Sequence, residues 1–598
     1  MSRHPRDGYD GPNRRTVLKA AGAAGLFATS PLTAGLGAAY DGDTPLDIPK
    51  WEDPLPVPGV LAPTDTRGQT TEYDVALTEF DQLVLTSSMG METTVWGYEG
   101  SYPGPTIEAQ PGRHVEVKYD PSGLPNEHLL SDSVDGRVHG AGPPAPETRI
   151  VTHLHGGVVT DEDDGHPTAW VSPDGFTAAD FEGIPNSPVR YKRSKEYPND
   201  QEPATIWYHD HALGITRLNV YAGLAGFYII RDRQENSLPS GMYEIPIVIQ
   251  DRSFDVDGSL QYPDEFEPEF FGDVPVVNGK TYPVLEVEPR GYRFRFLNGS
   301  NNRVFNLKLR NEDAPAADAF ADVPLFEQIG TDLGFLDAVA ALGPDGDRES
   351  MLMGGAERFD VVVDFAGYEG RTFTLTNGAP TPYAGEPFAI DEENFPEVMQ
   401  FRVTDTVTEE DDTVDLSGFL RSINRRYRPD PVDESGITRY MTLDSRESGS
   451  GLDSHFLNDT PFEDADEAGE VATPVLGTSE EWILANTTPD SHPIHLHLVD
   501  FEVVGRQNFD ADGFEDAREA ARDDPDTEEP NVADYLSGRV RGPAPSERGP
   551  KDTVLADNGE ATVIRPAFTG FAGRYVWHCH ILEHEDQEMM LPYEVVKE

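Results

Sequence analysis

Apolar and polar residues alternate in short runs along the chain, as in Val115-Glu116-Val117-Lys118-Tyr119 and Tyr292-Arg293-Phe294-Arg295-Phe296. A period of two sends successive side chains to opposite faces, so each run predicts a strand with one buried face. Three times a proline, a short apolar stretch and a polar turn precede such a strand: Pro105-Thr106-Ile107-Glu108, Pro283-Val284-Leu285-Glu286 and Pro474-Val475-Leu476-Gly477. The recurrence predicts an all-β chain of three antiparallel β-sandwich units over residues 40–235, 240–405 and 437–598, with 406–436 as an acidic linker. Toward the ends of the outer units, Ile206-Trp207-Tyr208-His209-Asp210-His211 and Tyr575-Val576-Trp577-His578-Cys579-His580 align residue for residue.

The length of 598 residues gives each unit room for its own core. Residues 1–39 read differently from the rest. Asn13-Arg14-Arg15-Thr16-Val17-Leu18-Lys19 before an Ala/Gly/Leu-rich stretch matches a twin-arginine signal peptide, which predicts export, an extracellular or cell-surface location, and cleavage near Ala38 or Ala39. No later apolar run reaches the ~18–20 residues of a transmembrane helix. The net charge of −62, from 108 acidic and 46 basic residues, points to a protein adapted to very high salt, where the screening length falls to ~3 Å. It also argues against nucleic acid as a partner, because phosphate binding needs a basic face. The single cysteine, Cys579, rules out an intrachain disulfide.

That cysteine stands inside one of four short clusters that hold ten of the sixteen histidines: His153 and His155; His209 and His211; His492, His495 and His497; His578 and His580, followed by His584 and Met589. Imidazole is the commonest metal ligand, and thiolate and thioether sulfur suit copper. Cys579, His584 and a histidine from the preceding cluster, His492, make the two-His, one-Cys set of a blue-copper site, with Met589 placed as a weak axial ligand. The remaining eight histidines form four His-x-His pairs. A strand turns the two members of such a pair to opposite faces, so each pair can serve two neighbouring metal ions. Asp210 occupies the place of Cys579 in the first unit, and a carboxylate cannot replace that thiolate, so only the third unit is expected to carry a blue-copper site.

On these clusters, in this order, the chain resembles the multicopper oxidases, and within them the bacterial spore-coat laccase and bilirubin oxidase branch. The resemblance extends through Tyr102-Pro103-Gly104-Pro105-Thr106, Asp164-Gly165-His166-Pro167, Val277-Asn278-Gly279-Lys280 and Met589-Met590-Leu591-Pro592. It implies three cupredoxin-like Greek-key β-sandwich domains and four copper ions. A type 1 copper would take His492, Cys579, His584 and Met589. The type 2 copper would take His153 and His495, one type 3 copper His155, His209 and His580, and the other His211, His497 and His578. Asp164 and Glu585 match carboxylates that family members use near the oxygen site, where a carboxylate can relay protons. The middle unit has no clustered ligands, so its expected role is spacing.

The implied activity is one-electron oxidation of phenols and aromatic amines coupled to four-electron reduction of O2 to water, by a monomer. A Cu(I), Mn(II) or bilirubin oxidase would share the same core, but ten methionines without a Met-rich segment speak against copper handling. A non-catalytic scaffold would be expected to have lost ligands, and a nitrite reductase to have two such units with different spacing. His114, His128, His139, His166 and His455 are unpaired and read as structural or exposed. Asn298-Gly299-Ser300, Asn458-Asp459-Thr460 and Asn486-Thr487-Thr488 are glycosylation sequons. Residues 510–534 carry eleven acids against two arginines, and are read as a solvated loop or, by position, as a rim over the type 1 site.

Overall fold

The computed structural model describes residues 40–597 apart from 183, 185–186, 392–394, 409–414, 428–431, 449–450 and 525–526. The leader, and parts of the linker, lie outside the described residues. The rest is a chain of sandwiches, as the alternation requires.

In the first, a sheet built on Thr70–Gln82 and Val115–Gly123 faces a four-stranded sheet ordered Gly104–Ala109, Ala225–Ile230, Ala204–Asp210, Thr152–His155. Val75, Val117, Leu154, Ile206 and Tyr228 fill the space between. The middle sandwich pairs an eight-stranded with a five-stranded sheet around Phe294, Phe296, Leu307, Val361 and Phe401. The third pairs a six-stranded sheet with a four-stranded one, ordered Thr553–Ala556, His492–Leu496, Gly573–Cys579, Met590–Val595, around Trp482, Leu484, Ile494, Ile564 and Trp577.

The two four-stranded sheets carry the histidines, and their registers correspond. His153 stands opposite His209 in the first sandwich, and His495 opposite His578 in the third. Two short buried helices join these regions: Asp586 of Leu582–Asp586 accepts hydrogen bonds from the backbone N–H groups of Thr216 and Arg217, which open Thr216–Ala222, and pairs with the Arg217 guanidinium at 3.0 Å.

Three expectations change. Within the stretch read as an acidic linker, Leu416–Tyr427 is a helix. Its apolar residues Leu416, Phe419, Leu420 and Ile423 recur at helical spacing and pack on Ile329, Phe335 and Val362 of the middle sandwich, while Asp415 accepts from the N–H groups of Ser417 and Gly418 at its start. The acidic insertion is also ordered in part. Helix Ala511–Asp523 seats Phe514 against Ile483, Ala485 and Val563, whose neighbours Trp482, Leu484 and Ile564 face the core. The helix therefore covers the outer face of the six-stranded sheet, the face turned away from the sandwich core. Finally, Asn298 and Asn486 are fully buried and donate to backbone carbonyls, which removes two of the three sequons as modification sites.

Candidate metal centre

Strand Gly573–Cys579 ends on the cysteine, so the sulfur sits where the backbone leaves the sheet. Its Sγ lies 3.6 Å from His492 Nδ1 and 3.8 Å from His584 Nδ1, and all three residues are buried. The main chain closes the site: Cys579 N–H donates to the Met589 carbonyl at 3.0 Å, and Met589 N–H to that of His584 at 2.9 Å. Met589 is buried in the same core as Cys579. Ile581 N–H points at the sulfur at 3.4 Å, and His492 donates from Nε2 to Thr488 Oγ1 at 2.6 Å, leaving Nδ1 aimed at Sγ. Burial pushes the Cys579 thiol well above its ordinary pKa, so its thiolate needs a cation beside it.

The eight other imidazoles meet where the first and third sandwiches touch, and all are buried. Seven of the eight rings, all but His580, are held from one side. His153, His209, His495 and His578 donate from Nδ1 to the carbonyls of Asp164, Asp210, Asp552 and Cys579, at 2.7, 2.8, 2.8 and 2.9 Å. His497 Nδ1 donates to Asp164 Oδ2 at 2.7 Å. Glu585 faces two rings at once, with Oε1 2.9 Å from His211 Nδ1 and Oε2 3.1 Å from His578 Nδ1.

The opposite nitrogens have no such partner. Nε2 of His153, His209 and His495, Nδ1 of His155 and both nitrogens of His580 find none among the described residues. His497 Nε2 lies 3.2 Å from the Nε2 atoms of both His211 and His578. Burying this many polar nitrogens unpaired costs of order 1–3 kcal/mol each, a cost that metal ions at their focus would remove. Among the described residues, three-residue groups close enough to share an ion are His155, His209 and His580; His211, His497 and His578; His153, His155 and His495; His153, Asp164 and His497; and His492, Cys579 and His584. The donor set fits copper.

Electrostatics agree. Burial first, then neighbouring imidazoles, push His153, His155, His495, His497 and His580 well below the ordinary histidine value, and His209 to about 3. The rings are therefore neutral, which is the form that binds metal. Burial raises Asp164 to about 8. Burial also raises Glu585, but the facing His211 and His578 outweigh it and hold that carboxyl well below its usual range.

The structure thus brings all fourteen site residues read from the sequence into two adjoining groups, and shows what the sequence left out. His455, read as unpaired, stacks on His584 with ring centroids 3.6 Å apart. Asp552 touches His155 and His495, yet nothing about Lys551-Asp552-Thr553 marks it as special. Asp210 lies among main-chain donors: Val151 N–H, Ala212 N–H and Asn219 Nδ2 all reach its carboxylate. His128 and His166 are buried and hydrogen-bonded, as structural histidines are.

A buried thiolate–imidazole site, joined by one strand to an eight-imidazole cluster on β-sandwiches, defines a metal-dependent oxidoreductase. Comparison with known proteins narrows this. Models of the multicopper oxidase family match residues 170–235 and 437–598. The chain is 41% identical to a laccase of Haloferax volcanii over 98% of this chain and 91% of that protein, and 37% identical to a laccase of Bacillus subtilis over 92% and 99%. Its fold matches the crystal structure of a laccase from Pediococcus acidilactici with a TM-score of 0.64 and 26% identity, over 94% of this chain and 96% of that one. The chain belongs to the multicopper oxidases. It is accordingly an oxidoreductase that uses copper and O2, and its sandwiches are cupredoxin-like.

Proposed function

We propose that this multicopper oxidase is a laccase that holds four copper ions, one at His492, Cys579, His584 and Met589 and three among the eight remaining histidines. The observation that carries the reading is the strand end His578-Cys579-His580: the sulfur faces one site while both flanking rings face the other. Copper supplies one-electron redox chemistry at the first site and oxygen reduction at the second. The protein supplies the rest. The main chain of Cys579 gives a covalent path from sulfur to both adjacent imidazoles. Four electrons and four protons convert O2 to two waters, and each phenol or aromatic amine gives one electron.

Two carboxylates divide the proton work. Asp164 Oδ1 is buried without a hydrogen-bond partner, 3.5 Å from His153 Nδ1, and, with its carboxyl raised to about 8, holds a proton near neutral pH. Glu585 stays ionised and fixes His211 and His578 by their Nδ1 atoms. The acid-rich surface supports work in molar salt, and the twin-arginine leader supports export to the cell surface or medium. Asn458, half-buried, remains the one sequon open to glycosylation. The test is a comparison of rates on a phenol, bilirubin and Cu(I) in molar salt. The laccase reading expects the phenol to be preferred; preference for Cu(I) or bilirubin would replace it with a metal-ion or bilirubin oxidase.

A further inference from the structure

The middle sandwich contributes none of the twelve proposed copper ligands, yet one of its side chains reaches the cluster. Arg358 opens strand Arg358–Asp364 of the eight-stranded sheet and is fully buried. A guanidinium has five N–H donors, and here each has an acceptor. Nη1 donates to Asp552 Oδ1 at 2.8 Å and to the Ala356 carbonyl at 2.8 Å. Nη2 donates to Asp552 Oδ2 and to the Asp332 carbonyl at 3.2 Å. Nε donates to the Thr205 carbonyl at 3.0 Å. Ala356 and Asp332 belong to the middle sandwich, Thr205 to the first-sandwich strand that carries His209, and Asp552 to the third. A single side chain therefore touches all three units.

Asp552 passes that hold on to the imidazoles. Its Oδ1 lies 3.2 Å from His155 Nε2, and its carbonyl accepts from His495 Nδ1 at 2.8 Å. His155 comes from the first sandwich and His495 from the third. The contact with His155 also decides which of its nitrogens is free. His153, His209 and His495 are anchored by Nδ1 and leave Nε2 open, whereas His155 is anchored by Nε2 and leaves Nδ1 open. Thr553 Oγ1, which donates to Asp552 Oδ1 at 2.9 Å, lies 3.3 Å from the same His155 Nε2, so the two neighbours together select that turned-round ring. The surroundings are shaped for this approach: Gly156 follows His155 at φ +91°, and a Cβ there would sit 2.9 Å from Asp552 Oδ2. Asp332 is fixed in turn, accepting from Arg358 N–H at 2.9 Å and pairing with Lys551 at 2.8 Å; Lys551 also pairs with Glu357 at 3.0 Å.

From these contacts we infer that Arg358 of the middle sandwich is a positioning residue for the copper cluster, acting through Asp552 to set the orientation of His155 and His495. The inference rests on the copper assignment proposed above. Groups that orient metal ligands typically change metal affinity by about 10- to 100-fold when altered. Lysine keeps the charge of Arg358 but cannot make the two-pronged contact with Asp552. Asparagine at 552 keeps the carbonyl that holds His495 but has a single side-chain oxygen to face Arg358 and His155.

The experiment uses the copper-loaded full chain and its Arg358→Lys and Asp552→Asn variants. Copper per chain is measured during chelator challenge, alongside the thiolate-to-copper colour and the electron paramagnetic resonance signal of the type 2 ion. The expected result is an unchanged colour, an altered type 2 signal and cluster copper lost to chelator about 10- to 100-fold more readily in both variants. If one variant does not fold, the other decides. Unaltered type 2 signal and copper retention would overturn the inference, as would loss of both sites in step with thermal unfolding, which marks a merely structural role. An unaltered enzyme lacking cluster copper would instead sink the copper assignment itself, so the two failures are distinct.

Discussion

Strands Ala204–Asp210 and Gly573–Cys579 end in the same way and do different work. Each places a histidine opposite another across its sheet, His209 facing His153 and His578 facing His495. Each brings the next-but-one histidine, His211 or His580, into the cluster. Between the two histidines one strand has Asp210 and the other Cys579. Asp210 looks to main-chain N–H groups and Asn219, and so locks the loop that follows. Cys579 looks to His492 and His584. The scaffold is duplicated; the electron-accepting site is not, because only a soft thiolate in that place completes a blue-copper set.

The sharpest way to break the comparison is Cys579→Ser. Visible colour is expected to vanish and turnover to fall at least about a thousandfold, ~4 kcal/mol in the barrier, while circular dichroism keeps the β signature. Retained turnover would reject the assignment. Next in size come the carboxylates: Asp164→Asn and Glu585→Gln should each keep the colour yet slow oxygen consumption by about 100-fold, at the lower end for a lost proton-transfer group. Asp210→Ala should also keep the colour, with a stability loss of about 1–3 kcal/mol from orphaned donors in thermal or denaturant unfolding. A lost colour would place the thiolate site in the wrong sandwich.

Asp210 adds a pH test in the copper-free protein. Burial, opposed by the bonds from Asn219, Ala212 and Val151, raises its carboxyl to about 7. The folded state thus binds this proton more tightly than the unfolded chain does, at 3.8. Its contribution to stability is full below 3.8 and is lost as pH rises to about 7, then levels off. Asp210→Asn should flatten unfolding free energy across that window; an equal slope in both proteins would contradict the burial argument. Smallest of all, His455→Ala removes the ring stacked on His584, and a change of about 0.5–1.5 kcal/mol, up to roughly tenfold in phenol kcat/KM, is expected, with His455→Phe restoring most of it.

Much of this was legible in the chain. Period-two alternation marks strands whatever they pack against, and a His-x-His pair on a strand has few geometric options, so the two metal groups followed from spacing and resemblance. Asp164 and Glu585 came from resemblance alone; their contacts with His497, His211 and His578 needed the fold. What remained hidden depends on distant partners. Arg358 and Asp552 are 194 residues apart, and each looks like an ordinary charged residue in an acid-rich protein. His455 has no neighbouring histidine in sequence and acquires one only when its strand meets the Leu582–Asp586 helix. Helix Leu416–Tyr427 was concealed by charge, although the spacing of Leu416, Phe419, Leu420 and Ile423 was there to be read.

The most direct measurement is metal analysis of the purified, copper-loaded chain beside its Cys579→Ser variant. The account predicts four copper ions per polypeptide in the first and three in the second, with the missing ion taking the colour with it. Fewer than four in the unaltered protein, or an equal count and colour in the variant, would contradict it.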